Sequence, residues 1–189
     1  MDNSSMGKKA AKAWEKLVAG NAKFSAKANK AKLAKLVEGQ KPYAVIVSCS
    51  DSRSAPEIVL NHKALGKIFV VRVAGNIATD ASVLGSVDYA VHHLHTPLIV
   101  VMGHSGCGAV KGAIAGGEHG NIANLLAHIH PATTNANGDV GKAVEENVKL
   151  QVANLLKNSA HVNELKGKGK LAVVGAVYDL ASGQMKQVC

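Results

Sequence analysis

Aromatic side chains are scarce in this chain of 189 residues: one Trp, three Tyr and two Phe. The core must then be built from Val, Ile, Leu and Ala, the mix that fills parallel α/β sheets buried on both faces. Cysteine is sparse too, and its count of three is odd. That argues against a disulfide framework and for thiols kept reduced. No window approaches the ~18 consecutive apolar residues of a membrane span. The lysines near the N-terminus precede no apolar run of the signal-peptide kind, and no arginine occurs before Arg53, so a transit peptide is a poor fit. The expectation is a cytoplasmic protein with no membrane partner, folded as a single domain over 1–189.

The basic excess is local. Residues 1–41 hold ten Lys against Asp2, Glu15 and Glu38, a net +7 of the chain's +9. Such a segment can mark nucleic-acid binding. Here, however, Trp14, Leu17, Val18, Leu33 and Leu36 recur at helical spacing among the lysines, the pattern of amphipathic helices with solvated charged faces. Residues 1–40 are read as a basic helical arm that serves assembly and residues 41–189 as an α/β core. No nucleic-acid partner is expected.

Val- and Ile-rich runs bounded by turn residues predict strands over 43–48, 67–73, 97–103 and 170–178, with 185–188 as an added edge strand. Helical patterns occupy 80–94 and 142–158, the second with Glu145 and Lys149 at i,i+4. HPATTNANGD at 130–139 reads as a surface loop. Strands apolar on both faces and separated by helices imply right-handed crossovers. The expected fold is α/β, a mostly parallel sheet of four to five strands flanked by helices. Ligands in such folds sit outside the carboxyl ends of the strands. Cys49 follows the first predicted strand, and His104 and Cys107 follow the third.

GHSGCG at 103–108 admits three readings. A dinucleotide loop would need an acidic residue about 20 positions on at a strand end, and none stands there. A redox site would favour a C-x-x-C pair, whereas Cys49 and Cys107 are far apart. The metal reading uses every polar group: two thiolates and an imidazole form a soft set that suits Zn²⁺ and leaves a fourth tetrahedral position open. Each of these residues alone could equally be a small buried side chain or a turn cap. The run CSDSR at 49–53 shifts the balance, because it adds Asp51 and Arg53 at the same strand end, a grouping costly to bury without purpose. Arg72, the other arginine, reads as half of a structural or interface ion pair, Trp14 as packing, and the histidines at 92, 93, 95, 128 and 130 as surface residues near helix ends.

C-S-D-S-R with G-H-S-G-C-G closely resembles the β-class carbonic anhydrases, and R-V-A-G-N at 72–76, A-P-E at 55–57 and G-A-V-Y-D-L at 175–180 resemble the same family. The likeness runs over roughly residues 14–188 in consistent order. It implies one Zn²⁺ per chain on Cys49, His104 and Cys107, a catalytic pair of Asp51 and Arg53, and attack of zinc-activated hydroxide on CO₂ to give bicarbonate and a proton. It further implies a homo-oligomer, a dimer or tetramer. Gly108 N–H is a candidate donor to the developing oxyanion. Released from Arg53, Asp51 could take the fourth metal position and shut the site. One subgroup of the family looks as though it holds bicarbonate away from the metal with a Trp, an Arg and a Tyr; here Arg72 and Tyr178 match, but the Trp position is Ile46. Rival functions are hydrolysis of carbonyl sulfide or carbon disulfide by the same site, and a non-catalytic zinc-binding module.

Overall fold

The computed structural model describes residues 7–62, 64–134 and 136–189. It divides into two compact units, residues 1–39 and 40–189. The first carries α1 (Lys8–Lys27) and α2 (Lys30–Val37), the second capped by Asn29, whose side chain accepts from the Lys32 N–H. No residue of α1 is buried, and Trp14, Leu17, Val18 and Phe24 stand exposed along it.

The second unit is a five-stranded sheet in the order β2-β1-β3-β4-β5. Its strands are β1 (Ala44–Ser48), β2 (Ile68–Arg72), β3 (Leu98–His104), β4 (Ala172–Tyr178) and β5 (Met185–Gln187). The first four run parallel, and β5 returns antiparallel along β4. Around them lie α3 (Pro56–Val59), α4 (Ala81–His92), α5 (Gly108–Ala115), α6 (Gly120–Ala127), α7 (His130–Thr133), α8 (Val140–Asn158) and α9 (Ala160–Gly167).

The alternation of a strand decides which layer each residue joins. Val45, Val47, Ile99 and Val101 pack with Val87 and Val91 of α4 and Val148 and Leu155 of α8. Ala44, Ile46, Val100 and Met102 point the other way, against Ala176, Val59 and Leu60. Every β1 residue is buried, as a central parallel strand requires. Each fully buried Val or Ile contributes roughly 1.5–3 kcal/mol relative to exposure, so aliphatic side chains suffice to hold this core. No helix among the described residues is long and apolar enough to cross a membrane.

Two sequence expectations are corrected. Residues 130–139 are not a plain surface loop: α7 forms there with Ala132 buried, and Ala136 is buried in the cluster of Ile129, Val144 and Leu126, while Asn135 lies outside the described residues. Lys149 pairs with Glu146 at 2.8 Å, one residue later than the expected Glu145. The i,i+3 spacing serves as well as i,i+4 on a helix surface.

Candidate metal centre

The carboxyl ends of β1 and β3 bring the predicted residues together. Cys49 leaves β1 directly, His104 closes β3, and Cys107 caps the N-terminus of α5. The turn between His104 and Cys107 passes through Gly106 at φ +64°, a left-handed backbone that glycine adopts without a Cβ clash. The three side chains are buried, and their ligand atoms all lie within 4.8 Å of one another.

This donor set fits a tetrahedral soft cation. The sulfurs of Cys49 and Cys107 stand 3.9 Å apart, and two thiolates at about 2.3 Å from one zinc in tetrahedral geometry would be about 3.8 Å apart. His104 Nδ1 lies 3.1 Å from the Ser105 carbonyl, which can only accept, so Nδ1 carries the hydrogen and Nε2 presents its lone pair. Nε2 is buried and has no hydrogen-bond partner among the described residues. A buried nitrogen left this way is costly unless something binds it.

The thiols titrate as a pair. Cys49 receives the Cys107 thiol, then His104 and main-chain N–H groups, and these outweigh burial to push it down to about 4. Cys107, facing the Cys49 sulfur in a buried setting, is pushed up. Ionising both buried sulfurs at once is thus opposed, and a shared divalent cation would relieve that opposition. Burial works against charging His104, but the neighbouring Cys49 sulfur outweighs it and raises the imidazole.

Asp51 and Arg53 sit at the rim. Asp51 Oδ1 accepts from Arg53 Nε at 2.9 Å and Oδ2 from Arg53 Nη2 at 2.6 Å, a parallel two-bond fork. Oδ1 also accepts the Arg53 main-chain N–H at 2.9 Å, which starts the short 3₁₀ turn Ser52–Ser54. These bonds hold the Asp51 carboxyl well below the usual carboxylate range. Asp51 Oδ2 is 3.8 Å from His104 Nε2, so the carboxylate borders the cluster without joining it. Gly108 opens α5, so its N–H is one of the first-turn donors that have no partner within the helix.

The residues 44–185 match the family model described as carbonic anhydrase. The chain belongs to the β-carbonic anhydrase family. Among its relatives, carbonic anhydrase 2 of Mycobacterium tuberculosis is 38% identical over 187 residues, covering 91% of this chain and 89% of that one. A carbonic anhydrase of Mycolicibacterium smegmatis is 35% identical over 189 residues, with 92% and 91% covered. Among solved structures, one of the two tetrameric β-carbonic anhydrases of Sordaria macrospora superposes with a TM-score of 0.83 at 28% identity, covering 94% of this chain and 96% of that chain. The expected α/β fold and the enzyme family are thus both established.

Two contacts at the site were not legible in the sequence. Arg72 donates from Nε to the Cys49 carbonyl at 3.0 Å and from Nη2 to the Asp51 carbonyl at 2.6 Å, so within the chain it holds main-chain oxygens. Gly75 N–H donates to Cys49 Sγ at 3.4 Å. The R-V-A-G-N motif that holds both was the available signal, since Arg72 ends the strand beside β1.

Proposed function

We propose that the chain catalyses the reversible hydration of CO₂ to bicarbonate and a proton, with one Zn²⁺ held by Cys49, His104 and Cys107. The observation that carries this reading is the convergence of three buried soft donors within 4.8 Å, next to a carboxylate locked in an arginine fork. Zinc bound there would supply Lewis acidity that makes a water acidic near neutral pH, the behaviour for which carbonic anhydrase itself is the standing example.

The protein groups do the rest. Asp51, held ionised by Arg53, is a weak base but a strong hydrogen-bond acceptor, so it orients the attacking oxygen instead of storing its proton. Arg53 fixes the carboxylate in direction, and Arg72 fixes the loop that carries both. Gly108 N–H, at the positive end of α5, offers a donor to the oxygen that gains charge. Cys49 and Cys107 serve as ligands only if reduced, which fits a cytoplasmic setting. The unburied apolar residues of α1 suit a homo-oligomer, dimer or tetramer, in which a second copy covers them.

Stopped-flow CO₂ hydration, run beside metal analysis and with a chelator arm, tests the reading. Activity should track zinc content and vanish on chelation. A fully zinc-loaded chain that fails to hydrate CO₂ yet hydrolyses carbonyl sulfide would overturn it.

A further inference from the structure

Gly75, whose N–H reaches the Cys49 sulfur, is itself held from behind. Its carbonyl accepts from Asn147 Nδ2 at 2.9 Å. Asn147 lies on α8 and is 0% exposed, and its Oδ1 accepts from Gln151 Nε2 at 3.0 Å, one turn further on and equally buried. Gln151 gives its other N–H to the His128 carbonyl at 3.0 Å, and its Oε1 accepts from Ala78 N–H at 3.0 Å and Asn154 Nδ2 at 3.4 Å. Every hydrogen-bonding position of Gln151 is filled.

The chain of amides has one possible direction. Side-chain amides can turn over, so their orientation must come from groups that cannot exchange roles. Both ends here are main chain: Ala78 N–H only donates, and the Gly75 carbonyl only accepts. Ala78 therefore draws Oε1 of Gln151, which turns Nε2 to Asn147, which turns Nδ2 to Gly75. The turn they grip has little freedom of its own. Gly75 has φ +72°, and a Cβ there would collide with Ile129 Cδ1. Two amides with Val144, Val148 and Leu155 as buried neighbours on α8 are costly unless fully paired.

We propose that Asn147, oriented by Gln151, is a positioning residue for the metal centre, holding Gly75 by its carbonyl so that the N–H on the other side of its Cα stays on Cys49 Sγ. This rests on the reading of Cys49 as a metal ligand. The chemical consequence follows from the donor set. Two thiolates cancel the charge of a divalent cation, and an N–H donated to one of them draws electron density back from the sulfur. Losing the Asn147 anchor lets Gly75 shift within its turn, draws its N–H away from Cys49 Sγ and leaves that sulfur the richer but less firmly placed donor.

The test uses the full chain loaded with Co²⁺, in wild type, Asn147→Leu, Asn147→Asp and Asn154→Ala. The Asp variant keeps the size and can still accept from Gln151, but as a carboxylate, the form tested at high pH, it cannot donate to Gly75. Both Asn147 variants should hold the ion about tenfold less tightly against a chelator, and their thiolate-to-cobalt absorption should move to lower energy. Asn154→Ala, which removes only the outer rung, should match wild type in both. An unchanged band and retention in either folded Asn147 variant overturn the proposal. Should neither fold, wild type loaded with NMR-active cadmium decides: a scalar coupling from the metal to the Gly75 amide proton is expected, and its absence overturns the proposal. A wild-type chain that takes up no Co²⁺ sinks the metal reading and this inference with it, whereas normal uptake with an unmoved band sinks the positioning role alone.

Discussion

Arg72 holds Asp51 by its main chain, donating from Nη2 to the Asp51 carbonyl at 2.6 Å while Asp51's own side chain holds Arg53. The two arginines thus grip one residue, Arg72 by its main chain and Arg53 by its side chain. Arg72 closes β2 in register with Ser48, so β2 clamps the loop that leaves β1. Lysine keeps the charge but cannot span the Cys49 and Asp51 carbonyls with a rigid fork. Arg72→Lys should retain its metal and lose on the order of 10²-fold in kcat/KM through displacement of Asp51. It should also lose roughly 1–3 kcal/mol of stability by denaturant titration. A fully loaded Arg72→Lys enzyme with wild-type kinetics refutes the clamp.

Cys107→Ser replaces a soft, ionisable ligand with a hydroxyl that stays protonated near neutrality. Metal content and CO₂ hydration should fall together, whereas Cys189→Ser, at an exposed thiol, should change neither. Full zinc occupancy in Cys107→Ser, measured by elemental analysis, removes Cys107 from the ligand set.

Gly103 lets β3 approach α8. A Cβ on Gly103 would lie 2.6 Å from Val148 Cγ2 and 3.5 Å from Val144 Cγ1, and neither branched side chain has a long end to swing away. Gly103→Ala should cost about 1–3 kcal/mol by overpacking. Adding Val148→Ala should recover part of that loss, because it removes the atom that is struck. Strictly additive losses in thermal melts would show that the contact is not the cause.

Most of the sheet was readable because a parallel strand buried on both faces leaves a continuous apolar run: β1, β2 and β4 lie within their predicted spans, and β3 runs one residue past its span, to His104. Cys49, Asp51, Arg53, His104 and Cys107 were readable because their types are unusual at strand ends. The buried pair of Asn147 and Gln151 was not. Polar residues on a helix signal its solvated face, and only the assembled fold turns that face of α8 toward the Gly75 turn. Helix α7 was hidden for a related reason: Pro, Thr and Asn mark turns locally, but burial of Ala132 and Ala136 decides the segment.

The turn between β4 and β5 should carry a pH signature. Asp179 Oδ1 accepts from Ser182 N–H at 2.7 Å, Ser182 Oγ at 2.8 Å and Ala181 N–H at 3.2 Å, and these bonds, with that from the Ser182 main chain first, hold its carboxyl below the ordinary range. A carboxyl lowered on folding adds stability that is present above its unfolded pKa of about 3.9 and disappears as pH falls through the folded value. The difference in Tm between wild type and Asp179→Asn should therefore shrink as pH is lowered from about 6 to about 3. A difference that stays constant with pH rules this out.

Bicarbonate should not lock this enzyme shut. Ile46, at the position where part of the family looks to place an indole donor, is 2% exposed and packs among Ala44, Val100, Met102 and Ala176. Arg72, the matching arginine, already gives Nε and Nη2 to the Cys49 and Asp51 carbonyls. An anion drawn into this layer would meet aliphatic carbon where it needs an N–H, and a buried charge short of donors is expensive. Asp51 is meanwhile held by the two-bond fork of Arg53, which nothing at Ile46 helps to break. CO₂ hydration should then rise smoothly with pH, and profiles taken at several bicarbonate concentrations should overlay once product inhibition at the metal is allowed for. An allosteric lock would instead give a steep, cooperative step that moves with bicarbonate. Such a step, or a crystal structure above neutral pH with Asp51 turned from Arg53 to the metal, would show that loss of the indole donor at position 46 does not protect the open state.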